Sequence, residues 1–179
     1  MTGTRRNRTL GQLLAAAILA HAGATAADDP AAAGPCTGKI PAELAVPAGN
    51  ALVLALDAAG VQIYECTKGA WTLKGPEASL LERGRQVGRH YGGPTWEADD
   101  GSKVKGTKVA GASVDATAVP WLLLKGEASG SGRLGEVTFV QRVNTSGGQP
   151  PPGACTATDK PTPVPYTATY CFYAAAEKR

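Results

Sequence analysis

The chain has 179 residues, of which 18 are Lys or Arg and 15 are Asp or Glu, so its formal net charge is +3. This excess comes from Arg5, Arg6 and Arg8, because removing three basic residues from 18 leaves 15, which balance the 15 acidic ones. A neutral remainder without a basic stripe provides no electrostatic basis for binding nucleic acid or an anionic membrane.

The N-terminal residues 1–26 predict a signal peptide. The three arginines precede an apolar run from Leu10 to Ala20, and small residues that fit an A-x-A cleavage site follow it. The run is too short for a permanent anchor, and no later segment has the length of a spanning helix. We therefore expect an exported protein, periplasmic or extracellular, that has no membrane span and is cut after Ala26.

The rest of the chain is organised as a lead-in followed by one domain. Residues 27–45 are rich in Ala, Pro and Gly and predict a flexible N-terminal lead-in. Residues 46–179 predict a single β domain, because about 150 residues suit one domain with one core. We expect this domain to be a monomer.

From residue 46 onward, the pattern is typical of short strands. The apolar run 51–56 is followed by Asp57-Ala58-Ala59-Gly60, which predicts a turn. In Val61-Gln62-Ile63-Tyr64-Glu65, apolar and polar residues alternate, which predicts a half-buried strand with Val61 and Ile63 on one face. Lys68-Gly69 predicts a tight turn into a third strand at 70–73.

The second half of the chain continues this pattern. Asp100-Gly101 predicts a type I′ hairpin turn, and strands are predicted over 121–124, 136–143 and 166–173. The one helix candidate, 77–83, is short. Many short strands between turns predict an all-β fold: a single antiparallel β-sandwich or partly open barrel with Gly/Pro-rich loops.

The four cysteines, Cys36, Cys66, Cys155 and Cys171, predict two disulfides in an exported chain. Spacing leaves all three pairings open. No two cysteines have C-x-x-C spacing, and His90 is the only histidine after the predicted signal peptide, so we expect no metal site.

A glycine motif at residues 130–135 matches G-x-G-x-x-G letter for letter. A dinucleotide site needs this loop between a strand and a helix, because the helix N-terminus binds the pyrophosphate. Here a strand pattern follows, so we predict a loop between two strands, no cofactor and no dehydrogenase activity.

Residues 88–102 concentrate the candidate functional side chains. The candidate ligand-binding residues are His90, Tyr91, Trp96, Glu97 and Asp100. Aromatic faces beside a histidine and carboxylates are typical of pockets that orient a small molecule or a saccharide. The structural alternative is that the aromatic rings belong to the core and that the acids form a turn.

Several blocks of this chain together resemble a secreted family of unknown function, catalogued as domain of unknown function 3455. The blocks are VPAG (46–49), VQIYEC (61–66), HYGGPTWE (90–97), DGS (100–102), PWLLLK (120–125), VQR (140–142) and VPYTA (164–168). The resemblance runs from about residue 46 to residue 173 and implies no established function. It implies the pairs Cys66–Cys155 and Cys36–Cys171.

Three functional hypotheses follow. The first is a non-enzymatic binding or envelope-associated module whose ligand face lies around residues 88–102, and it expects Trp96 to be partly exposed. The second is a secreted hydrolase or lyase that uses His90 and Glu97 as its acid and base. The third is a purely structural surface protein.

Overall fold

The computed structural model describes residues 1–3 and 34–176. The chain divides into two units, Met1–Ala31 and Ala32–Arg179. In the first unit, the described residues 1–3 are exposed and lie in no helix or strand. The remainder of the predicted signal peptide and the start of the lead-in fall outside the described residues, so both stay predictions.

The second unit is an antiparallel sheet of eight strands that closes into a barrel. Each strand pairs with the next along the chain, and β8 pairs with β1. The strands are β1 (Asn50–Thr67), β2 (Ala70–Glu82), β3 (Arg85–Tyr91), β4 (Thr95–Ala98), β5 (Lys103–Ala112), β6 (Trp121–Ser129), β7 (Val137–Gly147) and β8 (Thr162–Ala175). The predicted all-β antiparallel class is confirmed, and its architecture is the barrel.

The up-and-down topology places alternate connections at opposite ends of the barrel. We call the end with connections 83–84, 99–102 and 130–136 the closed end. We call the end with connections 68–69, 92–94, 113–120 and 148–161 the open end. Among the described residues, no helix has the length and apolar character that crossing a membrane requires.

Two local predictions were wrong. The predicted turn at 57–60 lies in the middle of β1. Gly60 occurs there because β2 passes so close to it that a Cβ atom would overlap the backbone of Glu77 and Ala78. The helix candidate at 77–83 belongs largely to β2, in which Ala78 and Leu80 pack in the core at the two-residue period of a strand.

The apolar core fills the barrel toward its closed end. Leu134, from the connection between β6 and β7, is fully buried there, and its N–H donates to the Ser102 hydroxyl at 3.0 Å. This contact joins two connections across the closed end. The core includes Leu56, Leu80, Val104, Leu134, Val140 and Phe172.

Residues 34–45 are attached to the barrel wall. Cys36 forms a disulfide with Cys171 of β8, and Leu44, at the end of the 3₁₀ turn Ala42–Leu44, is fully buried. The Gln141 amide donates to the Leu44 carbonyl at 2.6 Å. This attached part of the lead-in covers a second, smaller cluster centred on Cys36, Val143 and Cys171.

The second disulfide joins Cys66, near the end of β1, to Cys155 in the connection between β7 and β8. Both pairs are those that the family resemblance implies. Two disulfides indicate an oxidising environment.

We expect the Cys36→Ser/Cys171→Ser variant to lower the free energy of unfolding by up to about 5 kcal/mol, because the bridge closes a long loop of the unfolded chain. The sequence separation is 135 residues. Urea unfolding under oxidising conditions measures the loss. Limited proteolysis should then cleave within residues 34–45 first, and an unchanged cleavage pattern would contradict the attachment of this segment.

Candidate functional site

The strands β3 and β4 place the predicted site residues on opposite faces of the barrel wall. His90 pairs directly with Trp96, and both side chains are buried in the barrel. Tyr91 and Glu97 come next in the chain and contact each other on the outer face. Successive strand residues alternate in direction, so the structure does not bring these predicted residues together on one surface.

On the outer face, Glu97 is the centre of a charged cluster. The Tyr91 hydroxyl donates to Glu97 Oε2 at 2.8 Å, Arg89 Nη2 donates to both carboxylate oxygens, and Lys103 Nζ lies 3.3 Å away. The Tyr91 hydrogen bond, followed by Arg89 and Lys103, lowers the pKa of Glu97. Glu97 is thus an ionised, fully engaged group, and the wall separates it from His90. This geometry does not support an acid–base pair of His90 and Glu97.

Asp100 has a structural position at the closed end. Its carboxylate accepts hydrogen bonds from the Arg133 N–H at 2.8 Å and from the N–H and hydroxyl of Ser102. These bonds, Arg133 first, lower the pKa of Asp100. The carboxylate therefore ties the hairpin turn to the glycine loop 130–135, which joins β6 to β7 as a loop between strands.

Metal-ligating side chains do not gather in the described part of the chain. No group of three His, Cys, Asp or Glu side chains there could hold a metal ion. The four cysteines are all in disulfides.

Inside the barrel, His90 and Trp96 form an aromatic stack. Their ring centroids lie 4.5 Å apart with planes 9° from parallel, and Tyr170 meets both rings edge-on. His90 Nδ1 lies 2.8 Å from the Thr95 carbonyl oxygen. Burial lowers the pKa of His90 to about 3, so the ring is neutral at pH 7 and Nδ1 carries the proton it donates to Thr95.

Trp96 is only 1% exposed, so the expectation of partial exposure was wrong. Gly106 of β5 makes room for the ring, because a Cβ atom there would lie 2.8 Å from Trp96 Cζ3. A molecule can contact this indole only from inside the barrel.

A cavity of about 220 Å³ lies beside this stack and is mostly apolar. We call it the barrel cavity. The side chains that line its interior include Gln62, His90, Trp96, Leu124, Arg142 and Tyr170. Leu73, Lys74, Pro76 and Pro94 line its rim.

The short β3–β4 hairpin leaves a gap in the wall above this cavity. Within residues 34–176, β2 pairs with β3 only from Glu77 onward, and β5 pairs with β4 only up to Lys105. The upper parts of β2 and β5 therefore lack a partner on that side, above the turn at 92–94. Leu73 and Val109, on these two segments, are 48% and 58% exposed.

The most unusual group in the barrel cavity is the side chain of Gln62. It is fully buried, yet neither its Oε1 nor its Nε2 has a hydrogen-bond partner among the described residues. The Trp96 Nε1 is in the same situation. A buried amide without partners costs about 1–3 kcal/mol, so its occurrence in a cavity wall requires an explanation.

The position of Gln62 also corrects the sequence prediction for β1. Gln62 and Tyr64 are the buried residues, whereas Val61 and Ile63 are only half-buried. The predicted alternation is present, but its polar face points into the barrel. A one-residue difference in parity exchanges the two faces of a strand.

The chain is similar to one family of known proteins. Residues 47–174 match the family described as "Protein of unknown function (DUF3455)". The chain belongs to this family. No curated protein and no solved structure matches it.

Sequence reasoning missed the interior polar residues of the cavity in this DUF3455 protein, namely Gln62, Arg142 and Tyr170. Only His90 and Trp96 of the five predicted residues line it. The blocks at 61–66 and 140–142, which carry part of the family resemblance, contain Gln62 and Arg142 and were the available signal.

Replacing Gln62 by Met should stabilise the DUF3455 barrel or leave its stability unchanged, because Met has a similar shape and removes an amide without partners. The matched control is Gln141→Met. The Gln141 amide is equally buried but bonded to Leu44 and Tyr173, so its loss should cost about 1–3 kcal/mol. Urea unfolding of both variants measures the contrast, and a similar loss in both would contradict it.

The buried His90 should make stability depend on pH between 6.5 and 5. Its pKa is about 3 in the folded chain and ordinarily 6.5, so only the unfolded chain takes up the proton in this range. Stability is complete above pH 6.5 and should fall by up to about 1.4 kcal/mol per pH unit on acidification. Urea unfolding of wild type and His90→Gln tests this: the variant should show the shallower slope, and equal slopes would exclude His90 as the cause.

Proposed function

We propose that this DUF3455 protein is an exported, non-enzymatic binding protein that takes a small molecule into the barrel cavity. The observation that supports the proposal best is the pair of polar groups without a partner among the described residues, the Gln62 amide and the Trp96 indole N–H, in the wall of a mostly apolar cavity. Sites of this kind combine apolar walls with a few polar groups that orient the ligand.

The size of the cavity limits the ligand. A cavity of about 150 Å³ holds benzene, so a cavity of about 220 Å³ suits a compact molecule of roughly ten non-hydrogen atoms. A monosaccharide fits the polar groups less well, because most of the cavity wall is apolar. The gap above the turn at 92–94 provides a route from solvent.

The proposal keeps part of the ligand face predicted around residues 88–102. His90, Gly93, Pro94 and Trp96 come from this segment and line the barrel cavity. Tyr91, Glu97 and Asp100 contribute to the outer face and the closed end. A purely structural role would explain the aromatic stack but leaves the buried Gln62 amide without a purpose.

Binding can be observed directly at the indole N–H of Trp96. In a ¹H–¹⁵N spectrum of the oxidised domain, benzyl alcohol, phenylacetamide or phenylacetate at millimolar concentration should shift the Trp96 indole signal and leave those of Trp71 and Trp121 in place. Trp121 packs in the outer cluster with Cys36 and Cys171, which makes it the matched control. We expect dissociation constants of about 1 mM or below for ligands of this size.

Each indole signal is assigned by the Trp→Phe variant of one residue. Shifts confined to Trp96 would support the proposal. No shift with any of the three probes, or equal shifts of all three indoles, would overturn it.

A further inference from the structure

Arg142 is held by hydrogen bonds along one edge of its guanidinium. Its Nε and Nη2 donate to the Pro120 carbonyl oxygen at 3.0 and 2.8 Å. These bonds occupy one edge of the planar group. The other edge, formed by Nη1 and Nη2, has no charged partner among the described residues. A side-chain hydrogen bond from Arg142 lowers the pKa of Tyr170, and both side chains line the barrel cavity.

The positive charge of Arg142 has no counter-ion in the part of the chain that the structure describes. The three ion pairs within the described residues use Arg89, Lys103 and Arg133. The lining of the barrel cavity contains one further cation, Lys74 at the rim, and neither Asp nor Glu. An ordered arginine without an acid, beside a cavity with mostly apolar walls, provides a site for an anion.

The neighbouring groups do not supply a negative charge either. His90 is neutral, and burial raises the pKa of Tyr170, so its hydroxyl stays protonated. The charge of Arg142 acts on both groups, lowering the pKa of each. Within residues 34–176, no negative charge faces Arg142, so a ligand that carries one would neutralise the cavity.

We infer that the ligand is a monocarboxylate with a compact apolar body. Its carboxylate pairs with the Nη1–Nη2 edge of Arg142, near the Tyr170 hydroxyl, because two parallel N–H groups match two carboxylate oxygens. The body packs against Trp96 and Leu124, beside the buried Gln62 amide. This inference rests on the proposed function and narrows it from a small molecule to an acid. One guanidinium edge suits a single negative charge better than a phosphate monoester.

Phenylacetate and phenylacetamide form a matched pair of probes, because they have nearly the same shape and differ in charge. Titration of the oxidised domain at pH 7, followed at the Trp96 indole, should give at least tenfold tighter binding of phenylacetate. Added NaCl should weaken the binding of phenylacetate and leave the binding of phenylacetamide unchanged, since salt screens only the interaction with the charged ligand.

Variants of Arg142 test whether this residue causes the preference for phenylacetate. Arg142→Met should abolish the preference for phenylacetate, and Arg142→Lys should reduce it, because lysine keeps the charge without the two parallel donors. Arg89→Met, on the outer face, is the control and should keep the wild-type preference. Circular dichroism establishes that each variant is folded; if Arg142→Met does not fold, Arg142→Lys and the salt dependence still test the inference.

The outcomes separate the two proposals. Equal affinities for phenylacetate and phenylacetamide would overturn the carboxylate inference and leave the binding function standing. Tighter binding of phenyl phosphate than of phenylacetate would overturn it as well. If no probe shifts the Trp96 indole, the binding function itself fails.

Discussion

The short length of β3 and β4 is the constraint on which the rest of this structure depends. Seven and four residues suffice to close the sheet around the lower part of the barrel, but they do not reach the open end. Their longer neighbours, β2 and β5, therefore continue upward without a partner between them. The closed half can pack a dry core, whereas the upper half retains a cavity with access to solvent. The position of the candidate site follows from this difference in strand length.

The hydrogen bonding of polar side chains differs in the same way between the closed end and the cavity. At the closed end, Ser102 and Asp100 have hydrogen-bond partners that join one connection to the next. On the outside of the wall, Gln141 is satisfied on both sides of its amide. Over residues 34–176, the buried side-chain groups that lack partners are Gln62 and the Trp96 indole, both beside the cavity. The chain thus satisfies its buried polar groups wherever they serve folding, and the exceptions at the cavity are the basis of the proposed function.

The sequence contained the fold class, because strand alternation and turn residues are local properties. It contained both disulfides, whose pairing the family resemblance implied. It did not show which face of β1 lies inside the barrel. Val61 and Ile63 are the more hydrophobic residues, but in the closed barrel Gln62 points inward instead. For the same reason, the sequence indicated His90 and Trp96 as candidates but could not place them on a different face from Tyr91 and Glu97. The face that each residue occupies depends on which side of the sheet becomes the interior.

The parts of the barrel that hold the fold together are separate from the rim of the cavity, and this has a consequence for protein engineering. The closed end, plugged by Leu134, and the outer segment fastened by Cys36–Cys171 hold the fold together, while the rim residues Leu73, Lys74 and Pro94 contribute little to that core. A library that varies only the rim would therefore change the entrance of the cavity on a scaffold whose folding determinants remain untouched. This separation makes the small barrel a candidate platform for selecting binders of compact molecules.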